Sequence, residues 1–434
     1  MPAFTWLTWL QARQALAARL ADPNNVFWTD AENKLYLTEA LRVWNSLTEQ
    51  FNTDFAFPAT PPTVWYNFGT LIGSPRLRTV TDADLYTVMQ YHLLEPPTGA
   101  GAWTGTSQFS LADLQYALQR RRDEVIQAVA CNIDELPKLP STPNVRRTFF
   151  PDSTLEPIRT RFVPDSGSAT TLSREDTIAF DAFESQHLQQ NQTPSAWSVI
   201  TGPPLAMDVD TAPNVAGVYD VLYLRSGLTF NPPAATLMGL PDDWTWIAKW
   251  GALADLLSRD SEATDRDRAD YCLNRFMQGL KIMQASNWLV SATINGVPVD
   301  TPALRDMDGF VPEWQDNASA WPSLVTAGID FAGVCPVPAV LSGVSTIVIG
   351  NAPIPILDGD FVQVSRDVFD AILDYAQVLA SFKQGGAEFK STADLEKNFF
   401  TVAMQTNKRL ADLGLFRDVA GLEGKRQQKA VPRG

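Results

Sequence analysis

Between Trp244 and Leu257 the apolar residues Trp244, Ile247, Trp250, Leu253 and Leu257 fall at three- and four-residue steps, and Phe369, Ile372, Tyr375, Val378 and Phe382 repeat that stripe at one constant spacing along the chain. Steps of this kind commit a segment to a helix with one buried face. Each stripe leads into a second helical pattern, from about Arg266 to Met283 and, beyond a Gly385-Gly386 break, from about Thr392 to Leu413. Any fold for this chain must therefore house two packed helix pairs. Either 366–420 repeats 241–285 by internal duplication, or two unrelated amphipathic pairs share a stripe that many helices have.

More helices are expected near the N-terminus. Trp9, Ala12, Leu16 and Leu20 lie on one face of a segment from about Thr5 to Leu20, and a turn follows at Asp22-Pro23-Asn24-Asn25. Thr29 and Glu32 then have capping-box spacing ahead of Leu37, Leu41, Trp44 and Leu47, which starts a second helix. Asp82 to Leu94 reads as a third, and Ser110 with Asp113 opens a fourth running to about Cys131. Prolines recur from Asn132 to Asp165 without a sustained period, so this stretch is read as an extended arm or linker. Ser173 to Gln190 reads as a short helix. Strands are expected at Ala196–Ile200, Leu205–Val209 and Val218–Leu224, the last broken at Asp220. Asn295-Gly296 between apolar arms predicts a hairpin within Leu289–Asp300, and the Val-, Ile-, Gly- and Pro-rich chain up to Ser365 reads as a β-rich insertion.

The reading is a mainly helical α+β protein with a helical-bundle core, short β-strands and a β-rich insertion. It divides into N-terminal helices at 1–135, a Pro-rich arm at 136–170, and a short helix, strands and a helix pair at 171–288. The insertion follows at 289–365, the C-terminal helix pair at 366–420 and a basic tail at 421–434. With 434 residues the chain can bury a large core without disulfide or metal staples. Charged residues are only 19%, below the roughly 25% usual for soluble domains, which suits a subunit that covers much of its surface in an assembly. Three scattered cysteines, Cys131, Cys272 and Cys335, give neither a metal spacing nor an even disulfide set, so folding in a reducing cytoplasm is expected. The sequence shows no export signal and no apolar run of about 18 residues that would span a membrane.

The net charge of −15 excludes general phosphate neutralisation as a way of gripping nucleic acid. Acid–base catalysis has little to draw on, since the only histidines, His92 and His187, both fall in expected helices and read as packing or surface residues. Gly343-Val344-Ser345-Thr346-Ile347 lacks the final glycine of a nucleophile elbow. In Gly385-Gly386-Ala387-Glu388-Phe389-Lys390-Ser391-Thr392, Phe389 stands where a phosphate loop needs glycine, so an interhelix turn is expected. Gly99, Gly101 and Gly105 miss the dinucleotide spacing. The pairs Asp208 with Asp210 and Asp358 with Asp360 lack the ligand count of a calcium loop and read as turn residues. No catalytic, cofactor or metal residue is assigned.

One surface feature is functional in character. The segment from Gly421 to Gly434 carries Lys425, Arg426, Lys429 and Arg433 on an otherwise acidic protein, without hydrophobic period. It is either a solubilising tail or a docking tail for an acidic groove on a neighbour, and these four residues are the candidate partner contacts.

Three blocks then resemble the head-to-tail connector (adaptor) proteins of tailed bacteriophages. The first runs Ala18-Arg19-Leu20-Ala21-Asp22-Pro23, Phe27-Trp28-Thr29-Asp30-Ala31-Glu32 and Tyr36-Leu37-Thr38-Glu39-Ala40-Leu41. The second is Tyr219-Asp220-Val221-Leu222-Tyr223-Leu224. The third is Leu240-Pro241-Asp242-Asp243 feeding Trp250-Gly251-Ala252-Leu253-Ala254-Asp255-Leu256-Leu257. The likeness spans residues 5–50 and 171–285; family adaptors are usually shorter, and the excess lies in the Pro-rich segment and after Asn287. It implies a non-enzymatic virion protein, assembled in the host cytoplasm, whose copies form a ring, commonly of twelve, between portal protein and tail proteins. Double-stranded DNA would pass through the ring without specific binding, and an acidic wall would repel its phosphates. Two other readings stand beside it: a nozzle or fibre-attachment subunit docking through Leu289–Ser365, and a host-glycan-binding or glycan-degrading tail protein using the 13 tryptophans and nearby carboxylates.

Overall fold

A computed structural model of the chain describes residues 6–60, 65–67, 79–95, 108–129, 133–176, 191–202, 204–230, 235–259, 264–285, 292–294, 297–299, 334–336, 343–385 and 389–412. It is a mixed α+β protein. Among the described residues there are eight α-helices: α1 (Trp9–Arg19), α2 (Asp30–Thr48), α3 (Asp82–His92), α4 (Leu111–Val129), α5 (Thr245–Leu257), α6 (Arg266–Ala285), α7 (Arg366–Ser381) and α8 (Ala393–Asp412). Thr8, Thr29 and Thr81 close capping boxes with Gln11, Glu32 and Asp84. At α4 the Ser110 hydroxyl accepts from the Asp113 N–H while donating to the Asp113 carboxylate at 2.7 Å. These starts are fixed locally, by side chains that satisfy orphan amides.

The helices form two four-helix units of like construction. The outer unit comprises α1, α2, α7 and α8; the inner comprises α3, α4, α5 and α6, and lies between the halves of the outer in the chain. Three of the four corresponding pairs match in length, at 11 residues for α1 and α3, 19 for α2 and α4 and 20 for α6 and α8, while α5 has 13 and α7 has 16. The same interlocks recur. The first helix of each unit enters through a β-bridge from its N-cap, Thr8 to Phe361 and Thr81 to Leu237. The capping-box acid of the second helix pairs with a cation just past the third, Glu32 with Lys383 at 2.9 Å and Asp113 with Arg259 at 2.5 Å. The last residue of the first helix meets the middle of the third, as Arg19 with Asp374 and His92 with Lys249. An amide late in the fourth helix donates to the penultimate carbonyl of the second, Asn407 to Leu47 and Gln284 to Ala128.

Each second helix runs into a strand that pairs antiparallel with the strand approaching the third helix. In the outer unit β1 (Asn52–Ala59) pairs with β13 (Gly343–Gly350), and in the inner β3 (Ile133–Ser141) pairs with β9 (Gly217–Arg225). The outer pair extends to β10 (Ala292–Ile294) and β11 (Val297–Val299) in the order β1-β13-β10-β11. Ile294 faces Val297 across the two-residue spacing expected of the Asn295-Gly296 hairpin. A separate two-stranded sheet joins β2 (Trp65–Asn67) to β12 (Val334–Pro336).

The inner pair belongs to a seven-stranded sheet that curls into a nearly closed barrel. Its other strands are β4 (Arg147–Phe149), β5 (Thr154–Pro164), β6 (Thr170–Arg174), β7 (Ala196–Ile200) and β8 (Ala206–Val209), in the order β3-β9-β5-β6-β7-β8-β4. Phe150, Phe162, Leu172, Trp197, Met207, Tyr219, Val221 and Tyr223 fill it. Here the sequence reading needs correction. The Pro-rich stretch is extended, but it supplies β3, β4 and β5 rather than a free arm, and the ladder slips between Leu136 and Leu139 and again between Pro157 and Arg159. Proline has no N–H to give a ladder, so it is accommodated at such irregularities. Ser173 and Arg174 close β6 instead of starting a helix; 177–190 lie outside the described residues. Asp220 does not break its strand, because Arg161 opposite it on β5 binds its buried carboxylate at 2.8 Å.

Candidate functional site

The ionisable side chains best placed for chemistry gather where the two units meet. Lys249 stands on α5 among Trp246, Ile247, Trp250, Leu253 and Leu256, all buried, so its stem is held in apolar packing. Its ammonium donates to both carboxylate oxygens of Glu39 on α2, at 2.5 and 2.6 Å, and lies 3.3 Å from His92 Nε2 at the end of α3. Burial lowers the lysine pKa and the Glu39 carboxylate works against that. His92 has no solvent exposure; burial first, then the Lys249 charge, holds its pKa well below the usual histidine range, so the ring is neutral. With Nε2 turned to an ammonium donor the ring proton sits on Nδ1, which has no partner among the described residues. Tyr36 of the outer unit stacks on the imidazole with ring centres 5.6 Å apart, and Trp250 and Phe382 close the remaining sides.

Two further clusters continue the seam. Arg275 of α6, 2% exposed, donates to the Tyr375 hydroxyl at 2.7 Å, lies over the Phe400 ring and pairs with Glu396, to which Tyr271 also donates. Asp243, just ahead of α5, accepts from Asn45 Nδ2 of α2 at 2.7 Å and from the Ala352 amide at 3.1 Å. Burial pushes its pKa up to about 6, against the opposing bond from Asn45. Cys272 is fully buried beside this network, and burial pushes its thiol up.

What this arrangement does chemically follows from its enclosure. Lys249, His92 and Cys272 each have zero exposure, and a nucleophile or base must reach a substrate atom within hydrogen-bond range. The cluster instead spans the two units with its buried charge paired and hydrogen-bonded, which satisfies the charge without exposing it. The acidic pairs are satisfied locally: Asp208 by Arg146, Asp210 by Ser195, Asp358 by Arg13, and Asp360 by the Ile356 and Leu357 amides. Among the described residues no group of three or more His, Cys, Asp or Glu is placed to hold a metal ion, and no helix is long and apolar enough to cross a membrane.

No family model and no curated protein matches the chain.

His92 is a packing residue, one of the two roles read for it, while His187 lies outside the described residues, as do Lys425, Arg426, Lys429 and Arg433. Sequence reasoning passed over Lys249 and Asp243. The signal for Lys249 was one cation on the otherwise apolar buried stripe of Thr245–Leu257, matched by Glu39 on the apolar-rich α2.

Proposed function

We propose that this chain is a structural subunit of a tailed-bacteriophage virion, one copy in a ring that joins the portal protein to the tail and encloses the path of the DNA. The observation that carries the reading is the division of its side chains. Reactive groups are sealed in the seam, while large apolar groups are turned outward: Trp6, Leu10, Ile356, Leu357 and Phe361 on the outer unit, Tyr116 on α4 and Phe149 on β4. Exposed apolar groups gathered on a chain with a well-filled interior suit a subunit whose neighbours cover it. The net charge of −15 fits a conduit that repels phosphates and lets DNA slide.

The helical bundle is the connector body in this reading, and its two units are products of an internal duplication. The tail bearing Lys425, Arg426, Lys429 and Arg433 docks on an acidic surface of an adjoining ring of portal or tail protein. Native mass spectrometry of the chain mixed with the portal protein of the same virus tests the proposal. A particle holding many copies in fixed ratio is expected; monomers alone would refute it. Truncation after Leu422 should weaken that particle, and an unchanged yield would remove the tail from the contact.

A further inference from the structure

Five of the exposed apolar residues lie on two segments that are hydrogen-bonded to each other. The loop 356–361 is stitched to the start of α1, with the Trp9 amide on the Asp360 carbonyl at 2.8 Å, the Leu10 amide on the Asp358 carbonyl at 3.1 Å, and the Val362 amide on the Leu7 carbonyl at 2.9 Å. This gathers Trp6, Leu10, Ile356, Leu357 and Phe361, of which Ile356 is 76%, Leu357 68% and Phe361 56% exposed. Acid rims the patch. Arg13, itself buried, ties Asp30 and Asp358 together, and both carboxylates remain more than half exposed. Asp360 accepts the Leu357 and Ile356 amides, which hold its carboxyl below the usual range and keep it charged.

The inner unit supplies an internal comparison. It makes the same joint, with the Asp82 amide on the Thr236 carbonyl and the Met238 amide on the Val80 carbonyl, yet the positions matching Trp6 and Leu10 are Thr79 and Ala83, both exposed. The joint therefore requires no large apolar side chain at these two positions, although Leu237, opposite Thr81, matches Phe361 and is half-buried. Large exposed side chains at Trp6 and Leu10 point to something that covers them.

A complementary surface exists on the barrel. β4 is an edge strand, bonded to β8 alone among the described strands. Val145, just ahead of the strand, and Arg147 and Phe149 on it alternate and are exposed, Phe149 by 56%, whereas Arg146 turns inward to Asp208. Two apolar groups flank a cation that no carboxylate of the described residues pairs with. An unpaired edge strand is itself a surface that proteins keep covered.

We propose that the acid-rimmed patch Trp6, Leu10, Ile356, Leu357, Phe361 of one copy receives the Val145–Phe149 edge of a second copy. Leu357 and Phe361 meet Phe149 and Val145, and Arg147 reaches Asp358 and Asp360. Because the two faces differ, the contact is head-to-tail: an open array always keeps one free face of each kind, and it grows until it closes. The inference names the interface of the ring proposed above and rests on that reading for closure, but not for the pairing of the two faces.

The experiment uses the full-length chain with Leu357→Asp, with Phe149→Asp, and with the two variants mixed, sized by mass photometry and checked for folding by circular dichroism. Wild type should form a multi-copy particle and each variant a folded monomer. The mixture should give a 1:1 dimer and nothing larger, since Phe149→Asp keeps a sound patch, Leu357→Asp keeps a sound edge, and the dimer's other two faces are both spoiled. A monomeric wild type, a variant that assembles like wild type, or a mixture that stays monomeric overturns the proposal. Portal binding by a chain that fails these tests would leave the connector reading standing and remove only this interface.

Discussion

Asp243 shows how far a single residue can depart from its usual chemistry when two units close over it. Its carboxylate keeps two donors, Asn45 and the Ala352 amide, yet burial outweighs both and the pKa rises to about 6, against 3.8 for an unburied aspartate. A carboxyl that binds its proton more tightly when folded favours folding below its unfolded pKa, and that contribution is lost as pH rises through the folded one. Asp243→Asn cannot titrate and retains an acceptor for one donor. Urea denaturation of both proteins should therefore show wild type losing on the order of 3 kcal/mol relative to the variant between pH 4 and pH 7, with little further change above. A difference that stays flat with pH would mean that water reaches the carboxylate. None of this was legible in Leu240-Pro241-Asp242-Asp243, which entered the sequence reading only as the lead into the Trp250–Leu257 block. The burial of Asp243 is set by α2, almost 200 residues away in the chain.

Helices announced themselves better than the pairings between them. The capping spacings at Thr29 and Ser110 and the stripe at Trp244 place α2, α4 and α5 because a helix start and an amphipathic face are local properties. The likeness between units was visible only for α5 and α7. Elsewhere the interlocks keep position but change chemistry: Glu32 with Lys383 becomes Asp113 with Arg259, and Arg19 with Asp374 becomes His92 with Lys249. The Pro-rich segment misled for another physical reason, since proline removes ladder donors and so erases the alternation by which strands are recognised. At the seam, Lys249 of α5 and Glu39 of α2 replace apolar packing with an ion pair. Lys249→Met leaves Glu39 buried and uncompensated and should destabilise by about 3–5 kcal/mol. Adding Glu39→Met should restore most of the loss, because two apolar groups then meet. Chemical denaturation of both variants decides it: a double variant no more stable than the single would show that the pair holds the units by more than mutual neutralisation.

On the scale of the whole chain, the inner unit and its barrel are inserted into the outer unit, so the outer unit is assembled from the two ends of the sequence. Its halves are joined by several independent means. β13 pairs with β1 from Asn52 opposite Gly350 to Ala59 opposite Gly343, the Trp28 indole donates to the Ala380 carbonyl at 3.0 Å, and Lys383 pairs with Glu32. Ile372, Tyr375 and Leu379 of α7 are fully buried in the core shared with α2, and Arg275 ties Tyr375 to the inner unit. Sequence pattern could suggest the segments but not this nesting, which depends on pairing between strands almost 300 residues apart. Such an arrangement needs no covalent continuity between β11 and β12 once folded. A protease site inserted after Ala320 and cut in the native protein should leave 1–320 and 321–434 co-eluting on gel filtration, separating only in denaturant. The burial of α7 and the β1–β13 ladder supply the association, because burying apolar side chains contributes about 1.5–3 kcal/mol for each large residue, and many are buried here. Fragments that part on cutting in native buffer would mean that the covalent link, rather than the α2–α7 core and the β1–β13 ladder, holds the outer unit together.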